Sequence, residues 1–367
     1  MIAYLDHNAT SPLRPEARAA MLEALGETGN PSSPHAAGRA ARARLEQARR
    51  TVAAAFDMPS DAVVFTSGGT EANNLALRGL GAAATLISAV EHDSALRAAP
   101  DAERIPVDGE GIVDLGWLER RLAEGGVGLV SVMLANNETG TIQPLAEIVR
   151  LAHAEGALVH TDATQAAGRI PLSFTALDVE MMTVSAHKLG GPPGAGALLI
   201  QEGLPLRPLL RGGRQESGLR GGTENVPAMA GFAAAAAVAS EGDDGRIGRL
   251  RERLEAGLAA ADPAARIFGR GAARLPSTVC VAMSGVPAET QVMALDLAGV
   301  AVSAGSACSS GKVRMSHVLE AMGVEAAVAR TAIRISLGWN STADDVDRCV
   351  GAWAALAARA GERARAA

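Results

Sequence analysis

Lys188 closes an apolar run and opens a Gly/Pro-rich turn in SAHKLGGPPGAGALLI. A lysine at a strand end before such a turn either projects into a cavity or lies on the surface beside the turn. Ser185 and His187 flank it, and both side chains can hydrogen-bond a phosphate. A lysine amine whose pKa is lowered forms a Schiff base with an aldehyde cofactor. Asp162, in VHTDATQ, ends another apolar run, where a carboxylate needs a partner. It either caps the next helix or pairs with a protonated ring nitrogen, which makes that ring an electron sink. Gln165, three residues on, is placed to donate to an oxygen of the same ring.

SGGTEANN (67–74) is a Gly-rich turn leading from a strand into a helix. Backbone amides at a helix N-terminus attract anions, and Gly68 and Gly69 allow close approach. Thr70 with Glu71 also suits a plain helix start. His92 follows another strand and is either structural or stacked on a cofactor ring. Cys308 lies in SAGSACSSGKVRMSH, a Gly/Ser stretch with little to bury it, and exposure is what a thiol nucleophile needs. Cys280, in the apolar PSTVCVAMS, and Cys349, on a helix face with Val346, Val350 and Trp353, read as core residues. Arg334 is a lone cation in the apolar strand AIRISLG. It fits a substrate carboxylate and an internal salt bridge equally well.

These residues need elements to hold them. Apolar runs at 61–69, 84–92, 127–137, 156–165, 179–188 and 196–201 read as strands, alternating with helical segments such as 70–79, 114–124 and 144–155. Nearly continuous apolar strands alternating with helices predict a parallel α/β sheet covered on both faces. Each strand ends in a polar cluster, so the polar residues converge at the carboxyl edge, where such sheets bind ligands. Residues 38–56 show helical spacing of Leu45, Ala48, Val52, Ala55 and Phe56. The acidic SEGDDGR (240–246) marks a break. Beyond it a helix is expected at 246–261, strands at 277–283, 300–303 and 332–338, and a last helix at 343–360. The expected domains are a large one at 16–245 and a smaller α+β one formed by 1–15 with 246–367.

The 367 residues are 48% hydrophobic and 20% charged, which fits a soluble globular chain; only 2% are aromatic, so Ala, Val, Leu and Ile must fill the core. A net charge of −6 argues against nucleic acid as the main partner. No apolar run reaches the roughly 20 residues of a membrane helix. No secretion signal is visible at the N-terminus. Three cysteines without a CxxC pair argue against a disulfide framework and a cysteine zinc site, so the expected location is the cytoplasm and no metal is expected.

Together the segments YLDHNAT (4–10), NPSSPHAAGR (30–39), SGGTEANN, EH (91–92), ANNETG (135–140), DATQ (162–165), SAHK (185–188), GGRQESGLRGGTEN (212–225), SAGSACSSG (303–311) and IRISLG (333–338) resemble the cysteine desulfurases of the NifS/IscS group, within the fold-type-I, class-V aminotransferase-like enzymes. They occur in family order over nearly the whole chain. The resemblance implies a mainly parallel seven-stranded sheet and pyridoxal 5'-phosphate as cofactor. It implies that Lys188 is the Schiff-base lysine, that Asp162 pairs with the pyridinium nitrogen and that His92 stacks on the ring. Gln165 and Asn137 would contact the phenolic oxygen side. Gly69, Thr70, Ser185 and His187 would hold the phosphate, joined by Thr223 from the second subunit of a homodimer. Arg334, with Asn137 and Asn30, would bind the carboxylate of L-cysteine. Cys308 would carry the persulfide to an acceptor such as an Fe–S scaffold, or to thio-cofactor or tRNA biosynthesis.

Three positions depart from the family pattern: His7 stands for a common Asn, Pro193 for a frequent Lys, and Trp339 follows Gly338 where Arg is frequent. The chain also ends soon after the last helix, so docking through a longer C-terminal tail is not expected. The alternatives are a selenocysteine lyase, another pyridoxal-phosphate lyase or aminotransferase, and a non-catalytic partner in Fe–S assembly. The loop thiol at Cys308 has no use in a transaminase. The joint presence of Lys188, Asp162, Arg334 and Cys308 argues against a silent relative.

Overall fold

The computed structural model describes residues 2–305 and 315–366. A short strand β1 (Ala3–Tyr4) precedes the seven strands of the central sheet. These are β2 (Val63–Thr66), β3 (Thr85–Ser88), β4 (Glu103–Ile105), β5 (Leu129–Ser131), β6 (Leu158–Asp162), β7 (Met181–Ser185) and β8 (Gly196–Ile200). Their order is β2-β8-β7-β6-β5-β3-β4. β8 runs antiparallel to β2 and β7, and every other neighbouring pair is parallel. Every residue of β2, β5, β7 and β8 is buried, as strands covered on both faces require. The α/β class and the mainly parallel seven-stranded sheet are those expected from the sequence. β4 escaped the sequence pattern because it is an edge strand of three residues, two of them exposed.

Two helices begin the chain's cover of this sheet, α1 (Pro15–Leu25) and α2 (Ala36–Ala55). Helix α3 (Gly69–Gly79) follows β2, and the short α4 (Asp93–Ala98) follows β3. The helix Val226–Ser240 has no polar face and is buried almost all round. Such a helix shows no 3.6-residue alternation, so periodicity did not reveal it. Its small residues let neighbours approach closely: a Cβ on Gly231 would stand 2.5 Å from Met21 Cγ of α1. Alanine and glycine thus close the core that scarce aromatics leave open, with one edge-to-face pair, Phe65–Phe232, at 6.4 Å.

SEGDDGR (240–246) forms the turn between the helices Val226–Ser240 and Arg246–Ala261. Gly242, Asp244 and Gly245 take left-handed φ values, and Asp243 Oδ2 accepts from Ile247 N at 2.8 Å to start the helix Arg246–Ala261. A second, antiparallel sheet follows, from β9 (Arg266–Phe268), β10 (Thr278–Ala282), β12 (Ser303–Ala304) and β13 (Ala332–Ser336), ordered β12-β13-β10-β9. β1 pairs in parallel with β11 (Val300–Ala301), and Asp6 bridges to Ser336 of β13. The N-terminal arm therefore lies along this second sheet. Its core holds Leu5, Leu254, Ile335, Cys349 and a fully buried Trp353. Cys280 is likewise buried, within β10.

GGRQESGLRGGTEN has little apolar surface with which to build a core, yet Glu216 within it is only 6% exposed. Its carboxylate takes Arg49 Nη1 and Nη2, both at 2.7 Å, and Phe65 N at 2.7 Å. Arg220 reaches Glu71 at 3.0 Å. These charged contacts fasten a segment that apolar contacts cannot, and they hold Glu216 and Ser217 at φ of 45° and 56°. Glu216→Ala strands the Arg49 guanidinium without its buried partner. The expected loss is about 3–5 kcal/mol, read from urea unfolding.

Candidate active site

The carboxyl ends of β2, β3, β5, β6 and β7 surround a cavity of about 340 Å³, within the usual size range of small-molecule sites. Gly69 and Thr70, His92 and Ser94, Asn137, Asp162 with Thr164 and Gln165, and Ser185 with His187 and Lys188 line it from these ends. Asn8 and Ala9 of the N-terminal arm and Arg334 of β13 close it from the second sheet. Most residues singled out by sequence therefore meet in one place. Thr223 and Asn30 do not: both are exposed, and Asn30 Oδ1 accepts from Ser32 N at 2.9 Å within its own turn. Cys308 lies outside the described residues.

Lys188 Nζ donates to the carbonyl oxygens of Asn8 at 2.6 Å and Ala9 at 2.8 Å. Asp162 is buried at the end of β6. Its Oδ1 accepts from Thr164 N at 2.9 Å, the cap-like contact, while Oδ2 accepts from Asn73 Nδ2 at 2.8 Å. Asn73 Nδ2 also donates to Ser94 Oγ at 2.9 Å, so Ser94 turns its own hydrogen toward His92 Nδ1 at 2.8 Å. His92 Nδ1 accepts from Ser94 N as well, at 3.1 Å, which leaves Nε2 to carry the ring proton. Burial first, opposed by the Asp162 charge, lowers the His92 pKa. Asn73 and Ser94 were not singled out by sequence. Asn73 sits inside SGGTEANN, one turn into α3, and Ser94 lies two residues past His92; burial alone gives them their roles.

The N-terminus of α3 opens on this cavity through Gly69 and Thr70. Gly68, at φ +151°, occupies a conformation that side chains rarely adopt, and Gly69 opens the helix. The space beside Gly69 is tight, since a Cβ there would stand 3.1 Å from Thr164 Oγ1 and 3.6 Å from Ser185 Cβ. Thr164 Oγ1 is buried without a hydrogen-bond partner. A buried hydroxyl left unsatisfied beside a helix N-terminus calls for an anionic oxygen. With Asp162 facing the same cavity, the residues fit pyridoxal phosphate: an anion cradle, a carboxylate for a ring nitrogen and an amine for an aldehyde.

Arg334, 2% exposed, makes the internal salt bridge that was one of the two readings left open by sequence. Nη2 pairs with Asp6 Oδ1 at 2.9 Å and Nη1 donates to Asn137 O at 3.1 Å, while Nε is buried without a partner. The guanidinium is anchored from behind and still lines the cavity. Gln165 Nε2 donates to Asn8 O at 3.1 Å. Among the departures, Pro193 is exposed, and Trp339 lines a neighbouring cavity. Trp339 Nε1 donates to Pro12 O at 3.0 Å and Arg14 stacks on its ring at 5.2 Å. His7 is buried against Gly338, where no Cβ fits.

The aminotransferase class-V family model matches residues 3–349. A cysteine desulfurase of Cereibacter sphaeroides is 46% identical over 94% of this chain and 93% of its own length. One from Dictyoglomus turgidum, named cysteine desulfurase IscS, is 40% identical over 94% and 91%. This chain belongs to the class-V aminotransferase family, among its cysteine desulfurases. It is thus a pyridoxal-phosphate enzyme. A NifS-like protein from Rickettsia africae superposes with a TM-score of 0.90 at 36% identity, covering 97% of this chain and 99% of that one.

The desulfurase keeps several imidazoles neutral around its site. Burial first lowers the pKa of His160 to about 4, of His187 to about 4 and of His7 to about 3. Below pH 6.5 the unfolded chain binds protons that these folded sites refuse, so stability falls as pH drops from about 6.5 toward 4. Buried Glu91 is pushed up to about 8, mainly by burial and then by Asp162, and it acts in the opposite sense between about 4.5 and 8. His160→Asn isolates one contribution. The stability advantage of wild type over this variant should shrink by roughly 3 kcal/mol between pH 6.5 and 4, measured by urea unfolding across that range.

Proposed function

We propose that this enzyme removes sulfur from L-cysteine, giving L-alanine and a persulfide on Cys308. The observation that carries the reading is the meeting of Lys188, Asp162, His92, Arg334 and the α3 cradle around one cavity. Gly69, Thr70, Ser185 and His187 would hold the phosphate of the cofactor, with Thr164 as a further donor. Lys188 would hold it covalently, Asp162 would keep its ring nitrogen protonated, and His92 would pack on the ring. Gln165 and Asn137 would stand on its phenolic oxygen side. Pyridoxal phosphate, when bound, supplies the electron sink for a negative charge developing at the substrate Cα.

The chain's residues supply the rest. Arg334, backed by Asp6, binds the substrate carboxylate together with Asn137; Asn30, exposed in this monomer, is a further candidate. Lys188 Nζ would carry the Cα proton. The Cys308 thiolate attacks the substrate sulfur: the Sγ–S bond forms, the Cβ–S bond breaks, and the carbon fragment is protonated to alanine. The persulfide then passes to an acceptor such as an Fe–S scaffold, or to thio-cofactor or tRNA biosynthesis. We further assign residues 16–245 to a large domain and 1–15 with 246–367 to a smaller one. The working unit is a cytoplasmic homodimer in which Thr223 completes the neighbour's phosphate site. Among the described residues no helix is long and apolar enough to cross a membrane.

Borohydride reduction of the purified yellow protein should fix the cofactor on Lys188. In Cys308→Ser the cofactor should remain while sulfide release collapses. Cofactor mapped to another lysine, or near-normal turnover in the serine variant, would reject the assignment. Arg334→Ala should raise the L-cysteine concentration at half-maximal rate by roughly one to two decades, the worth of a charge-assisted hydrogen bond. An unchanged substrate dependence would assign Arg334 to the Asp6 pair alone.

A further inference from the structure

Arg169 stands behind the cavity, outside its lining, and has no part in the mechanism above. It is partly buried and forms no ion pair among the described residues. Its partners are neutral oxygens: Nη1 donates to Asn8 Oδ1 at 2.7 Å and to Gln165 Oε1, and Nη2 donates to His7 O at 3.2 Å. Burial, then Arg334, pushes its pKa down to about 9, so it stays charged at neutral pH. A guanidinium that gives up its surroundings of water without meeting a carboxylate is unfavourable unless its donors do something specific.

Their effect on Gln165 is specific. A guanidinium only donates, so the end of the Gln165 amide that faces it must be the oxygen. The nitrogen must then face the other way, toward the carbonyl of Asn8 that also receives Lys188. We propose that Arg169 is a positioning residue that locks the Gln165 amide with its donor toward the cofactor's phenolic oxygen and holds Asn8 beside Lys188. The proposal rests on the pyridoxal-phosphate reading of this cavity. Without Arg169 the amide can rotate and turn an acceptor toward an oxygen that carries negative charge.

The readout is the visible absorption band of the bound cofactor, titrated with pH in the holoenzyme. A donor on the phenolic oxygen favours the anionic, deprotonated form, so losing it raises the midpoint. The titratable and charged groups facing this chromophore are Asp162, His92, His187, Lys188 and Arg334, with Asp6 behind the last, and none of them is substituted in the variants. Arg169→Met should raise the midpoint by about one pH unit, the scale of one charge-assisted hydrogen bond. Gln165→Leu should do the same, and the double variant should move no further than Gln165→Leu alone. Arg169→Lys, which can still only donate, should restore a near-wild-type midpoint. Arg169→Gln replaces the methionine variant if that one fails to fold, with the same direction expected. An unmoved midpoint, or an equal shift in the Gln165→Leu background, overturns the positioning role, the latter showing a general charge effect instead. Wild-type protein whose cofactor is not on Lys188 removes the underlying reading and this proposal with it.

Discussion

The hydrogen bonds of Asn8 decide whether the two sheets can share a site. Its backbone N donates to Ser336 Oγ at 2.9 Å, and its Nδ2 donates to Asn137 O and Thr278 Oγ1, each at 3.0 Å. Its Oδ1 takes Arg169, and its carbonyl takes Lys188 and Gln165. One residue of the N-terminal arm thereby joins β10 and β13 to the loop after β5, the loop after β6 and the end of β7. Buried polar groups left unmade cost free energy comparable to a hydrogen bond each. These contacts therefore support one another, and the cavity lies where the second sheet meets the carboxyl edge of the first.

Charge inside that cavity is sorted by the same geometry. Asp162 keeps its two oxygens on Asn73 and the Thr164 amide, while His92, His160 and His187 have pKa values lowered chiefly by burial. Neutral imidazoles add no cations to the pocket. The cationic side chains left in its lining are Lys188 and Arg334, beside the opening turn of α3. In a medium less polarisable than water such fixed charges act more strongly on each other than they do at a surface.

How far the sequence revealed this site follows from how local each signal is. The strand ends were legible because an apolar run stopping at DATQ or SAHK is visible in a few residues. The helix Val226–Ser240 was hidden because burial on all sides erases amphipathic period. Asn73, Ser94, Asn8 and Arg169 were passed over because a polar residue carries no mark of burial until its neighbours are assembled. Asn73 lies 89 positions from the Asp162 it supports, and Asn8 lies 180 from Lys188. The anchoring of the Glu216 loop was hidden for a related reason. Composition reports the lack of apolar anchors and says nothing of a carboxylate that finds Arg49, 167 positions away.

The cysteines show burial working in the opposite direction. Cys349 is pushed up to about 12 by burial, and Cys280 is raised further by burial and then by buried Glu138. A nucleophilic sulfur must be a thiolate, so both core thiols are held in the unreactive form at any neutral pH. They also sit in closed packing: Cys280 on β10 pairs across to Arg334 of β13, and Cys349 lies with Trp353 in the second core. Neither can reach a substrate without unfolding its sheet or helix. Of three cysteines in the chain, the fold removes two from sulfur chemistry, which supports the proposed assignment of that chemistry to Cys308. The same low dielectric that keeps the core thiols protonated keeps the imidazoles around Asp162 neutral. Inert sulfur and a neutral histidine shell are therefore two results of one packing arrangement.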